Sequence, residues 1–260
     1  MQAQTERAKR IESVILPIVT AAILVFAWHE GVVLTATKIL PSPLAVWNGA
    51  GELARQGILL RYIGDSLFRV GVGFSLAALL GIPLGLVVGL YAPVEAAVNP
   101  VIQILRPISP LAWIPIAIAI FGIAPAAAIS LIFLGSVFPI VVSSANAVRN
   151  VPPMYIQAGR NFGLSGAALF ARVILPASLP QMLTGLRIAF GVAWIVVVAA
   201  EMVAVDSGLG YLIVDARNAG KRYDLVVAGM LLIGLIGLAL DTALRGVERL
   251  KAVRWGYRSN

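Results

Sequence analysis

The chain holds few residues able to do covalent chemistry. It has no Cys and a single His, which excludes disulfides, thiolate metal centres and a cluster of imidazole ligands. That residue, His29, follows an apolar run and reads as an interfacial polar group rather than a ligand. No G-x-x-x-x-G-K-[ST] pattern occurs. Gly220-Lys221 lacks both the upstream glycine and the hydroxyl residue, so the chain has no phosphate-cradling loop of its own. No Ser stands beside a His base, and the chain does not read as an enzyme. The titratable groups that draw notice lie in or near apolar runs long enough to cross a membrane. Carboxylates in such runs are costly and are functional candidates. Glu201 is a candidate for gating or for lining a polar path, with a structural ion pair as the alternative, and Asp241 reads as the partner of an inner arginine. Arg69 and Arg187 could offset the charge of an anion, although their places near span ends fit snorkelling to the interface.

The elements that must position these groups are membrane spans. The chain is 60% hydrophobic and 12% charged, with mean hydropathy +0.93, against roughly 25% charged in soluble domains. The charges gather between apolar runs, the pattern of a polytopic membrane protein. The net charge of +8 does not point to nucleic acid, because the basic residues are scattered among spans without a binding motif. The expected fold is all-α with about six transmembrane helices, at 13–28, 66–90, 100–121, 126–148, 184–203 and 225–244. The first has no A-x-A-like cleavage site and is read as a retained helix. Between it and the second, Pro43 to Gln56 is amphipathic, with Leu44, Trp47, Gly51 and Ala54 on one stripe, and is expected on the outer membrane surface.

In the second span Gly73, Ala77, Gly81, Gly85 and Gly89 recur every four residues, a strip that lets another helix approach closely. Pro83 should kink that span, and residues 91–99 read as a short inner loop. Pro107, Pro110 and Pro115 leave carbonyls of the third span unpaired. Such a segment either packs against broken structure or lines a wet path. The candidates for a path are Pro110, Pro115, Ser143, Trp194 and Glu201. Basic residues in the N-terminal segment, between spans four and five, and in the tail outnumber those on the other side. The positive-inside rule then gives a cytoplasmic segment 1–12, a transmembrane domain 13–245 with a cytoplasmic loop 149–183, and a cytoplasmic basic tail 246–260.

The stretch from Gln157 to Pro176 is longer than a connection between two spans requires. Ala158, Phe162, Ala167, Phe170 and Val173 fall on one helical face. Gly163 and Gly166 break the pattern, and Pro176 is expected to end it. Gly163 suits a sharp turn between two short helices, where φ is positive. A loop with its own packing, carrying Arg160 and Arg172, looks built to dock on something outside the membrane.

This stretch resembles the EAA loop of bacterial ABC-importer permeases, E-A-A-x3-G-x9-I-x-L-P. Gln157-Ala158-Gly159 holds the opening positions, Gly163 the glycine, and Val173-Ile174-Leu175-Pro176 the ending. Glu is replaced by Gln and one Ala by Gly. Gln157 can hydrogen-bond but brings no charge, so docking should persist with less salt sensitivity at that point. ILPSPLAVW (39–47), SLFRVGVGF (66–74), LAWIP (111–115) and AAEMVAVDSGLGYLI (199–213) are similar to the branch importing nitrate, sulfonates, taurine or bicarbonate.

The resemblance implies a MetI-like type I importer core in a bacterial inner membrane. Its loop residues Gln157, Ala158, Gly159, Arg160, Gly163, Leu164, Val173, Leu175 and Pro176 would form coupling helices seated in a groove of a separate ATPase. The implied partners are two ATPase subunits, a second copy of the permease, and a periplasmic or lipid-anchored solute-binding protein. ATP and Mg would sit on the ATPase, with no cofactor or metal on this chain. The implied substrate is a small anion. A thiamine precursor, an amino acid or a cation stands as the alternative, and an ATP-independent secondary transporter is the further one.

Overall fold

The structure, a computed structural model, describes residues 2–35 and 39–248. Lys38 and the tail arginines from Arg249 onward lie outside the described residues. Among the described residues the chain is helical and contains no strand. Five helices are long and apolar enough to cross a membrane, and a bent helix pair makes up to six. The chain divides into two units, residues 1–59 with 213–231, and residues 60–212 with 232–260.

The first unit holds α1 (Gln2–Thr35), α2 (Pro43–Arg55), the end of α10 (Leu209–Gly220) and the start of α11 (Tyr223–Glu248). The α1 helix runs past the expected span at both ends, because membrane thickness sets the length of the apolar run and not the ends of the helix. Pro43 opens α2, and Ser42 Oγ accepts from the Ala45 N–H at 3.3 Å. Val46, Gly49 and Leu53 form the buried face of α2. Leu44 and Trp47, from the stripe read in the sequence, stand exposed on the other face. At Gly49 a Cβ would lie 3.1 Å from Leu225 Cδ2, so a small residue lets α2 close on the start of α11. Arg222 fixes this corner by donating to Glu52 Oε2 at 2.6 Å and to Asp224 Oδ2 at 2.8 Å.

The second unit is built around α6 (Pro125–Arg149), which lies between α3 (Ile58–Leu90) and α9 (Leu175–Glu201). The strip of small residues on α3 meets α6 along its length. A Cβ at Gly73 would lie 2.8 Å from Ile132 Cβ, at Gly81 2.9 Å from Ile140 Cγ2, and at Gly85 2.6 Å from Ser144 Cβ. Ala77, Ile140 and Ala189 close a buried cluster across the three helices. With no hydrophobic drive between helices in lipid, this close contact of backbones is the source of association. Phe74 and Phe190 add an edge-to-face pair with ring centroids 5.1 Å apart.

Three expectations need correction. Residues 91–99 are not a loop, since α4 (Ala92–Leu105) begins immediately after α3. The third span is not one helix, for α4 and the segment 110–121 meet at an angle of 80°. A tight turn at Pro110–Trp113 precedes α5 (Ile114–Phe121), and Pro107 and Pro110 mark the break because neither can donate an N–H to a continuing helix. Finally, Pro176 does not stop a helix. It sits in the first turn of α9, where proline costs nothing, and the helical path runs unbroken from Gly166 to Glu201. Pro83 lies inside α3, where the sequence places it within the second span.

Candidate functional site

The segment between α6 and α9 folds as a hairpin of two short helices, α7 (Pro153–Asn161) and α8 (Gly166–Leu169). Phe170–Ile174 then forms a wide π-type turn that leads into α9. The end of α7 is a Schellman motif. The Gly163 N–H donates to Arg160 O at 2.9 Å and the Leu164 N–H to Gly159 O at 3.0 Å, with Gly163 at φ +77°. Gly159 has a different reason to be small: a Cβ there would lie 2.7 Å from Leu169 Cδ1 and 3.0 Å from Val173 Cγ2. The two arms of the hairpin therefore touch through the backbone of α7.

A buried cluster of Val148, Val151, Leu169 and Ile174, backed by Leu86 and Ile156, joins the hairpin to the ends of α6 and α3. The hairpin is thus packed onto the spans. Its outer side is an open apolar groove of about 490 Å³, lined by Tyr155, Ala158, Phe162, Leu164, Val173 and Pro176, with Arg172 beside it. Phe162 is 86% exposed and Met154 is exposed nearby. The single helical face read from the sequence is divided by the turn. Phe170 packs inward on the cluster, Ala167 faces outward, and Ala158, Phe162 and Val173 share the groove. Gln157 and Arg160 are exposed, and Leu175 is half-buried at the start of α9.

The residues considered for a polar path meet different neighbours. Pro110 packs on Gly135 of α6, and Pro115 is exposed in the first turn of α5. Ser143 packs against Gly185 of α9. The Trp194 indole N–H donates to Ile233 O at 3.3 Å, and the ring lies over Gly237. Glu201 is completely buried, and its carboxylate is fully engaged. Oε1 accepts from Arg69 Nη1 at 2.7 Å, while Oε2 accepts from Ser66 Oγ at 2.8 Å and from the Gly210 N–H at 3.0 Å. Arg69 also donates to Ser207 O at 2.8 Å, and the Leu209 N–H donates to Ser66 Oγ at 2.9 Å. Gly208, at φ +106°, passes so close to the carboxylate that a Cβ would collide with it. Arg69 is therefore not a snorkelling residue, because it is only 3% exposed and serves as the partner of Glu201. Asp241 pairs with Arg187 at 3.6 Å and with Arg245 at 2.8 Å, as read from its position. Sequence reasoning missed Ser66 and Ser207, since no local pattern marks a hydroxyl whose partner is so distant along the chain.

A family model described as binding-protein-dependent transport system inner membrane component matches residues 81–252, which include α6, the hairpin and α9. The chain belongs to this family. This permease is 39% identical over 249 residues to an ABC transporter permease protein of Methanocaldococcus jannaschii, with 91% of each chain covered. It is 36% identical to the nitrate import permease NrtB of Synechocystis, covering 91% of this chain and 89% of that one. Its identity to the bicarbonate transport permease CmpB of Synechococcus elongatus is 34%, covering 93% and 90%. Among solved structures, the inward-facing MetNI methionine ABC transporter superposes with TM-score 0.66 at 20% identity, covering 79% of this permease and 99% of that chain. The permease is a multi-pass inner-membrane component with a fold like that of the methionine transporter's membrane subunit, and a transport subunit rather than an enzyme.

Proposed function

We propose that this permease is the membrane subunit of an ATP-driven importer of a small oxyanion, and that the 153–176 hairpin couples it to a separate ATPase. The observation that carries the coupling is the exposed apolar groove of the hairpin, with Phe162 standing 86% exposed beside it. An aromatic side chain held out from a packed hairpin, with both arms fixed by Gly159 and Gly163, suits insertion into a protein cleft. Gln157, Ala158, Arg160 and Leu164 would line that contact, and Val173, Leu175 and Pro176 would pass its motion into α9. ATP and Mg would bind the partner.

The substrate class is supported by the relatives named for nitrate and bicarbonate import. In this reading two copies of the permease surround one path, a solute-binding protein delivers the anion, and alternating access follows closure of an ATPase dimer. The hairpin and both termini then face the cytoplasm. Glu201 we assign to holding the α9–α10 turn, since both its oxygens are hydrogen-bonded within the chain. The test is uptake by the reconstituted permease, its ATPase and its binding protein. ATP-dependent accumulation of labelled nitrate or bicarbonate is expected. Accumulation driven by an ion gradient without nucleotide would contradict it, and uptake of an amino acid or cation alone would overturn the substrate class.

A further inference from the structure

A second feature lies at the hairpin end of the second unit, between α3, α4 and α6. The α4 helix carries Glu95, Asn99 and Gln103 at helical spacing, Arg106 caps its C-terminus, and all four line a cavity of about 260 Å³. Asn146 and Arg149 close it from α6, while Val88, Ile102 and Val141 form its apolar wall. Within the cavity Arg149 Nη1 lies 2.7 Å from Glu95 Oε1, and Arg149 Nη2 donates to Val88 O at 3.4 Å. Glu95 therefore neutralises Arg149. Among the described residues no carboxylate pairs with Arg106, so the cavity keeps one exposed, uncompensated positive charge, with the amides of Asn99, Gln103 and Asn146 in the same lining.

We propose that this cavity binds the phosphodiester of an anionic membrane lipid. One cationic guanidinium, with Asn99, Gln103 and Asn146 as neutral donors, matches an anion of one negative charge with several acceptor oxygens. The apolar wall of Val88, Ile102 and Val141 belongs to membrane helices, which suits the glycerol end of a lipid whose phosphate meets the polar side. A basic pocket between spans is the setting in which lipid headgroups bind. Because Arg149 is the last residue of α6 and α7 begins at Pro153, an occupied cavity would brace α4 against the base of the hairpin. The inference stands whether or not the transported solute is an anion.

The test uses the full-length permease in detergent, with lipid retention read by native mass spectrometry. Dioleoyl-phosphatidylglycerol should be retained about fivefold more tightly than dioleoyl-phosphatidylcholine, which has the same phosphodiester but whose choline ammonium brings the net charge to zero, as the attraction of one basic residue to an anionic lipid implies. Arg106→Gln should lose that preference, and Arg106→Lys should keep most of it, because an ammonium still binds phosphate as a point charge. Arg106 is exposed, so the Gln variant should unfold at the same temperature as wild type without added lipid. Inorganic phosphate that displaces the glycerol lipid from wild type but not from Arg106→Gln would support the same phosphate site with a free ion as its occupant. Equal retention of the two lipids by wild type, or an unchanged preference in Arg106→Gln, would overturn the proposal.

Discussion

Arg69 and Glu201, 132 positions apart, meet at 2.7 Å with both side chains shut away from solvent. The pair fastens the end of α9 to α3, and through Ser207 and the Gly210 N–H it holds the turn into α10. The same α9 continues the helical path that starts at Gly166 in the hairpin. One end of that path therefore carries the exposed groove, and the other is fixed by a buried ion pair.

Breaking a buried pair from one side leaves an uncompensated charge, at a cost of about 3–5 kcal/mol. Arg69→Met should lower the thermal unfolding midpoint in detergent strongly. The double variant Arg69→Met with Glu201→Gln should recover much of the loss, because the amide oxygen still accepts from Ser66 and Gly210 without a charge. A single variant no less stable than the double would contradict the assignment of Glu201 as a structural anchor.

The α3–α6 contact makes a second prediction. Gly85→Val places a side chain where a Cβ already lies 2.6 Å from Ser144 Cβ, and overpacking of this kind costs about 1–3 kcal/mol. Gly71→Ala on the same helix meets nothing within 4 Å and should be neutral or slightly stabilising, since alanine is the better helix former. Thermal unfolding of the two variants checks the contrast. Equal effects would mean that this face of α3 does not pack as described.

Acid should weaken the corner between α2 and α11. The hydrogen bond from Arg222 is the main cause holding the Glu52 carboxyl below its ordinary value of 4.5. A depressed carboxylate contributes stability above its unfolded value and loses it as the pH falls through the folded one. The difference in unfolding midpoint between wild type and Glu52→Gln should therefore be present near neutral pH and vanish as the pH drops below 4.5. The Glu52 side chain is 41% exposed, so the difference should be small and should shrink with added salt. A difference that grows in acid would contradict the pairing.

The parts legible in the sequence were those with a local signature. Small residues every four positions marked the α3 face that meets α6, and the glycine at 163 with the surplus length of its loop marked the hairpin. The Arg69–Glu201 pair was not legible, because each residue sits near the end of an apolar run and neither run names its partner. The three prolines announced trouble in the third span but not its 80° bend, which depends on how α4 and α5 pack. The helices α1, α3 and α9 each begin well before the apolar run that marks them, because polar residues can extend a helix beyond the membrane core.

The central claim is that the hairpin docks on an ATPase, and co-purification tests it most directly. The wild-type permease should bring an ATPase subunit of its importer through detergent extraction. Phe162→Asp should lose it, because a charge would replace the exposed aromatic ring. Gly163→Val should lose the ATPase or its transport coupling, because a β-branched residue at φ +77° forces the hairpin turn to rearrange. Both variants should still reach the membrane in normal amounts, since Phe162 is 86% exposed and a Cβ at position 163 meets nothing within 4 Å. Full retention of the ATPase by Phe162→Asp together with normal ATP-dependent uptake by Gly163→Val would contradict the account.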